Sequence, residues 1–258
     1  MSAADWYDQA LYYDVLFSWD PTPEREFVLG ASARWGADTP RRSETAASPR
    51  RVLEPFCGTG RLLRHMPGLA VGFDLNPHMV RFAGRTCRVF QGDAARFALQ
   101  PGGFDLAYCL IDSFRHLPDR AAAWSHFRCL GAALRPGAVY VLGLDLSAGQ
   151  DAEESREEWS GQRGDVEVKG RVELLGDADP GRGTETMEVE LRVRHGRERR
   201  TLVSRQPLLL WSAADLRACL ADEGSFELVA SFARTYQLDE PRPLEAIPGS
   251  AVLVLRRR

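Results

Sequence analysis

The chain has 258 residues, of which 44% are hydrophobic and 27% charged, with a net charge of −3. That balance suits one large α/β domain, or a domain with an inserted lobe, and excludes a global pull toward nucleic acid or anionic membrane. Five cysteines (Cys57, Cys87, Cys109, Cys129, Cys219) without Cys-x-x-Cys spacing exclude a disulfide frame or zinc site and fit reduced thiols. With no membrane-length apolar run and no basic–apolar leader, the expected location is the cytoplasm.

Residues 5–19, DWYDQALYYDVLFSW, form an aromatic cluster ahead of any sheet strand. Thr22-Pro23 then offers a cap and a first-turn proline for a helix running to about Trp35. Residues 1–36 read as an N-terminal helical segment. Residues 37–50 are polar and apolar-poor and read as a flexible linker.

Residues 51–79, RVLEPFCGTGRLLRHMPGLAVGFDLNPHM, organise the chain. Val52-Leu53 has the character of a buried strand, with Glu54 at its end. Gly58-Thr59-Gly60 allows a sharp turn and close approach of a ligand. Leu62, Leu63 and Met66 suit one side of a helix. Val71–Phe73 makes a second strand, which stops at Asp74. Ligands in open parallel sheets bind at the carboxyl ends of strands, so two acids and a glycine turn meet at one crevice. No lysine follows as in a phosphate-binding loop, and Leu63 stands where a dinucleotide fingerprint has its third glycine. An acid before the turn would repel pyrophosphate and suits an ammonium group. Glu-x-x-x-Gly-x-Gly followed by an acid ending the next strand resembles the class I S-adenosylmethionine-dependent methyltransferases.

Further motifs fit that resemblance. A third strand, Cys87–Gln91, leads to Gly92-Asp93-Ala94, where a carboxylate and a backbone N–H can read an adenine edge. Phe104-Asp105 opens a fourth strand, with Leu106–Ile111 a continuous apolar run. Asp112-Ser113-Phe114 follows without the paired prolines of enzymes that methylate nucleobase or glutamine amino groups. With His116-Leu117, it is similar to the small-molecule branch. From Pro118 to Leu134, the residues Trp124, Phe127, Leu130 and Leu134 recur at helical spacing. Arg135-Pro136-Gly137 should end that helix, and Val139–Leu144 supplies a fifth strand.

Residues 147–163 are polar and acidic. Then Val166, Val168, Val172 and Leu174 alternate with charges, as do Met187, Val189, Leu191 and Val193, predicting antiparallel strands with one wet face. Asp177-Ala178-Asp179-Pro180-Gly181 should join them, and residues 198–210 add a third strand. The mixed charge excludes a nucleic-acid face. The segment 147–211 thus reads as an inserted β lobe that roofs the substrate site, with a homodimer sheet as the alternative or additional role. Ser212 with Asp215 forms a capping box; Leu216, Cys219 and Leu220 face inward, and Gly224 stops the helix. Residues 226–232 and 251–255 finish as strands.

The resemblance implies a doubly wound Rossmann-like α/β domain with a seven-stranded sheet (51–146 and 212–258), an N-terminal helical cover (1–36) and an inserted antiparallel β lobe (147–211). It implies transfer of the methyl of S-adenosylmethionine, leaving S-adenosylhomocysteine, to a small-molecule N or O acceptor by in-line displacement. It assigns Glu54 to the ammonium group, Gly58 and Gly60 to the methionine part, and Asp74 to the ribose hydroxyls. Leu75 and Met79 flank the adenine, and Asp93 with Ala94 reads its edge. Tyr13 of the cover and Cys109 at the end of the fourth strand complete that set. Asp112, Ser113 and His116 are the substrate-side candidates; no metal is expected, and the catalytic residue stays open. The alternatives are a protein or RNA methyltransferase, or a non-catalytic nucleoside-binding or assembly protein on the same fold.

Overall fold

The computed structural model describes residues 5–37, 51–147, 155–179 and 181–258. Residues 38–50 of the expected linker, 148–154 at the start of the expected lobe, and Pro180 in its turn lie outside them. A 3₁₀ turn, Trp6–Asp8, precedes helices α1 (Ala10–Leu16) and α2 (Thr22–Trp35). Asp20, not Thr22, closes the start of α2, its carboxylate accepting from Thr22 N and Oγ1 at 3.0 and 2.7 Å.

The sheet is built from β1 (Arg51–Pro55), β2 (Leu69–Asp74), β3 (Arg88–Gln91), β4 (Phe104–Cys109) and β5 (Leu134–Leu146), with α3 (Pro77–Ala83) after β2 and α4 (Arg120–Ala133) after β4. The helix expected after the glycine turn is only a 3₁₀ turn, Leu63–His65. Pro67 follows at once, and a residue before proline avoids helical backbone; Met66 is accordingly extended. Strand β4 ends two residues before Ile111, because Ile111 and Asp112 take left-handed backbone. Strand β5 begins earlier than expected, pairing Leu134 with Phe104 and then Val139 with Leu106. Arg135-Pro136-Gly137 is therefore looped out of the ladder instead of preceding it.

The lobe has four strands: β6 (Ser155–Arg163), β7 (Val166–Leu174), β8 (Thr184–His195) and β9 (Glu198–Leu209), antiparallel in sequence order. Strand β6 was not anticipated: it is an edge strand, almost wholly exposed, so no apolar alternation marks it. Helix α5 (Ala213–Glu223) then returns the chain to the main sheet with the expected capping box and a left-handed Gly224. Strands β10 (Phe226–Ala233) and β11 (Gly249–Arg257) complete that sheet.

The seven strands run β10-β11-β5-β4-β1-β2-β3, with only β11 antiparallel to its neighbours. Phe127 and Leu130 of α4 and Leu216 and Leu220 of α5 fill one face. Phe27, Val28 and Ala31 of α2 fill the other. Strand order reverses between β1 and β4, which opens a crevice at their carboxyl ends. Helix α1 does not pack on this sheet: Tyr12, Val15, Leu16 and Phe17 form a third core with Val168, Val189, Leu191 and other lobe residues. An added Cβ at Gly161 of β6 would stand 2.0 Å from Val15 O, so helix and lobe are in direct backbone contact.

Candidate active site

A cavity of about 660 Å³ lies at the strand-order reversal, within the usual size of small-molecule sites. Four parts of the chain wall it. The strand ends contribute Gly58, Asp74, Asp93 and Ala94; the amino-terminal segment contributes Asp5, Tyr7 and Tyr13; the loop after β4 contributes Ser113 and His116–Pro118; and β9 contributes Ser204–Pro207.

The turn after β1 is held by its neighbours. Phe56, Gly58 and Gly60 all have positive φ, at 56°, 51° and 72°. Gly58 N donates to Asp74 Oδ2 at 2.8 Å and Asn76 N to Asp74 Oδ1 at 2.9 Å. One carboxylate thus joins the glycine turn to the start of α3, where Asn76 Oδ1 accepts from His78 N at 2.8 Å as the helix cap. Burial raises the Asp74 carboxyl above its ordinary value, and those backbone N–H groups oppose the rise. The two glycines differ. Gly58 lines the cavity, and a Cβ added there would stand in van der Waals contact with Tyr13 Cε1, at 3.8 Å. Gly60 does not line it; a Cβ there would stand 2.9 Å from Cys87 Sγ.

Glu54, at the end of β1, accepts from the Tyr108 hydroxyl at 2.8 Å. Burial pushes its carboxyl up to about 8, against the pull of that bond. It lies outside the cavity lining. Leu75 is 65% exposed at the rim and Met79 is buried beneath it, both in the lining. Asp93 Oδ1 accepts from Ala95 N at 2.8 Å, which orients the carboxylate. Cys109 is in the core, 2% exposed and away from the cavity, and burial raises its thiol.

Of the substrate-side candidates, Ser113 and His116 line the cavity and Asp112 does not. Asp112 turns to Arg115 and to Asp145 N, which donates to its Oδ1 at 2.8 Å. Burial pushes its carboxyl up to about 7. His116 Nε2 is 2.9 Å from the Tyr7 hydroxyl, with the rings edge to face. Burial first, and the Arg115 charge second, push His116 down to about 4, while burial raises Tyr7. Both partners are therefore neutral at pH 7.

Tyr7, Asp5 and Gln206 are missing from the sequence-derived set. Gln206 Nε2 donates to Asp5 Oδ1 at 2.9 Å, joining two cavity residues 201 positions apart. The sole signal for Tyr7 was its place in the aromatic cluster. Tyr13 lies in the lining and stacks on Phe17 at 4.4 Å. Phe17 is core, while Trp19 is 37% exposed, its indole N–H donating to Glu24 at 3.2 Å. Among the described residues, no group of three or more His, Cys, Asp or Glu is placed to hold a metal, and no helix is long and apolar enough to cross a membrane.

Comparison with known proteins agrees with this geometry. The family described as "Methyltransferase domain" matches residues 52–137. No curated protein matches the chain. Among solved structures, an S-adenosylmethionine-dependent methyltransferase from Clostridium acetobutylicum superposes with a TM-score of 0.70 at 15% identity, covering 98% of this chain and 99% of that one. The sugar N-methyltransferase KedS8 from Streptoalloteichus gives 0.69 at 22% identity, over 100% and 94%. CalS10, an amino pentose methyltransferase from Micromonospora echinaspora, gives 0.65 at 19%, over 99% and 92%. These likenesses extend through the lobe and establish the fold. Residues 52–137, which span the glycine turn and the first acid-ended strands, thus match the methyltransferase-domain family, on a fold shared with solved S-adenosylmethionine-dependent methyltransferases.

Proposed function

We propose that the protein transfers a methyl group from S-adenosylmethionine to a nitrogen or oxygen of a small polar acceptor, with an amino sugar as the leading class. One observation carries the reading: a single cavity is walled jointly by the acid-ended strands and by polar groups of the cover and lobe. The sugar N-methyltransferase and amino pentose methyltransferase neighbours support the acceptor class. A protein or RNA substrate would suit an exposed groove better than a site walled by the strand ends, the amino-terminal segment, the loop after β4 and the lobe.

The residues fit the donor. Gly58 keeps the turn open where a Cβ would project, and Asp74 retains acceptor capacity beyond its two backbone bonds. Met79 and Leu75 offer apolar faces for a base, and Asp93 with Ala94 an edge to read. When bound, the donor supplies a methyl carbon activated by positive sulfur, attacked in line by the acceptor.

The chain's task is positioning and exclusion of water. Tyr7 and Tyr13 close the cavity from the cover; tyrosine faces tolerate a cation without bringing a counter-charge. His116 and Tyr7 stay neutral, so the pair can hold an acceptor N–H or O–H without a positive charge that would oppose approach to the sulfonium. The lobe serves as the roof, with Gln206 and Ser204 on its inner side.

Calorimetric titration with S-adenosylmethionine, with NAD and ATP as controls, tests the donor; labelled methyl transfer to a panel of amino sugars tests the acceptor. Selective binding and labelling are expected. Preference for NAD or ATP would overturn the reading of the glycine turn. Donor binding with labelling only of proteins or RNA would overturn the acceptor class.

A further inference from the structure

We propose that Glu185, on lobe strand β8, is a positioning residue for the substrate-side loop and acts on it through Arg115. The importance of that loop rests on the methyl-transfer reading; the contacts themselves do not.

The loop leaves β4 through two consecutive left-handed residues, Ile111 at φ 59° and Asp112 at φ 63°. Neither is glycine, and such backbone persists only where surrounding contacts over-determine it. The contacts converge on Arg115. Its Nη1 donates to Asp112 Oδ2 at 3.2 Å, its Nε to Leu209 O at 2.7 Å, and its Nη2 to Glu185. Two of the three acceptors therefore belong to the lobe, from β8 and the end of β9. Arg115 is 2% exposed and Glu185 5%. A planar, buried guanidinium with three acceptors has one orientation, and that orientation fixes Asp112, whose other oxygen is held by Asp145 N.

Ser113 and His116 flank Arg115 in the 3₁₀ turn Ser113–His116, and both line the cavity. The cavity face of the turn is thus set by a guanidinium on its buried side. Glu185 and Arg115 do not line the cavity. The lobe consequently does more than cover the site: it holds the loop that presents His116 to Tyr7. Without the Glu185 carboxylate the buried cation must seek water, and the two left-handed residues are free to relax.

The test uses the full chain with ¹³C-labelled histidine, and His116→Asn identifies the His116 resonance. The polar groups packed against that ring are the Tyr7 hydroxyl and Arg115. In the wild type His116 is expected to stay neutral down to about pH 4, and its ring, edge to face with Tyr7, is expected to show contacts to the Tyr7 ring in nuclear Overhauser spectra. Glu185→Ala should raise its titration by about two pH units, toward the ~6.5 of an unperturbed histidine, and remove the Tyr7 contacts. Glu185→Gln, which keeps an acceptor for Arg115, should restore most of both. A merely structural role would lower Tm and leave the titration in place. Since Glu185→Ala strands a buried cation, the double variant Glu185→Leu with Arg115→Met supplies a charge-free packing. Its readout is the Tyr7–His116 contact, which does not depend on the Arg115 charge and should be lost. A folded double variant, or a folded Glu185→Ala, with that contact intact overturns the proposal. Neither measurement needs donor or acceptor, so failure of S-adenosylmethionine to bind would sink the methyl-transfer reading and leave this result standing.

Discussion

Asp74→Ala tests the centre of the site. In the folded chain one oxygen of Asp74 accepts from Gly58 N and the other from Asn76 N, each with a second acceptor position remaining. If those positions take the two ribose hydroxyls, the variant loses hydrogen bonds to a charged group. Such bonds contribute roughly 1.5–3 kcal/mol net, which corresponds to about a 10- to 150-fold weaker Kd for S-adenosylmethionine. Two opposing effects act on the fold. Gly58 N and Asn76 N each lose an acceptor, costing about 1–3 kcal/mol if stranded and less where cavity water replaces it. Against this, a carboxylate that burial disfavours is removed. A lowered but cooperative melting transition is therefore expected. Isothermal titration at pH 7.5, on protein whose circular dichroism matches the wild type, reads the affinity. A folded Asp74→Ala that binds with unchanged Kd would refute the ribose assignment. Asp74→Asn separates the effects, because it keeps the volume and one acceptor but loses the charge.

Gly58→Val should abolish donor binding and still fold, because a Cβ there meets only Tyr13, at contact distance, while φ of 51° is hostile to a β-branched residue and its methyls would project into the cavity; normal binding would show that the turn is not at the ligand. Glu54, at about 8 in the free protein against about 4.5 unfolded, binds more protons folded than unfolded between those values. Its contribution to stability is therefore present at low pH and lost as pH rises toward 8, at up to roughly 1.4 kcal/mol per pH unit. Glu54→Gln should raise Tm at pH 8 and change it little at pH 4.5, and an equal shift at both would contradict this. If the donor's ammonium group faces Glu54, binding at pH 7 should release most of one proton, read from titrations in buffers of different ionisation enthalpy. Leu16→Ala removes a 2%-exposed side chain from the core shared by α1 and the lobe and should cost about 2–5 kcal/mol. Hydrogen exchange should rise in α1 and β6–β9 and stay slow in β1, β4 and β5; uniform acceleration would mean that the two cores unfold together.

The parts legible in the sequence are those that depend on neighbours along the chain. Val52-Leu53 and Leu106–Cys109 are apolar runs because they are buried on both faces, and the acids after the first two strands mark their carboxyl ends. The capping box of Ser212 with Asp215 and the alternation in β7 and β8 are likewise local chemistry. The part of the cavity proposed for the donor follows from such elements: Gly58, Asp74, Met79, Asp93 and Ala94 lie within 37 residues and share the cavity. Local reasoning failed where a pattern had two physical explanations. Gly60 looks like Gly58 but its missing Cβ makes room for Cys87, and Cys109 ends a strand that its own burial keeps from the cavity.

The part of the cavity proposed for the acceptor was decided by tertiary structure. The Tyr7–His116 pair spans 109 residues and the Asp5–Gln206 bond 201; no spacing along the chain encodes either. Helix α1 carries aromatics that would fit any apolar face, and only the close approach allowed by Gly161 and Gly170 assigns it to the lobe. Strand β6 is visible only as the partner of β7, since an exposed edge strand has backbone hydrogen bonds but no buried side chains to leave a period. Sequence determines what each segment can bury and where the chain can turn. Which buried polar groups face one another depends on how those segments close on each other, and here that closure joins the cover, the loop after β4 and the lobe around one cavity.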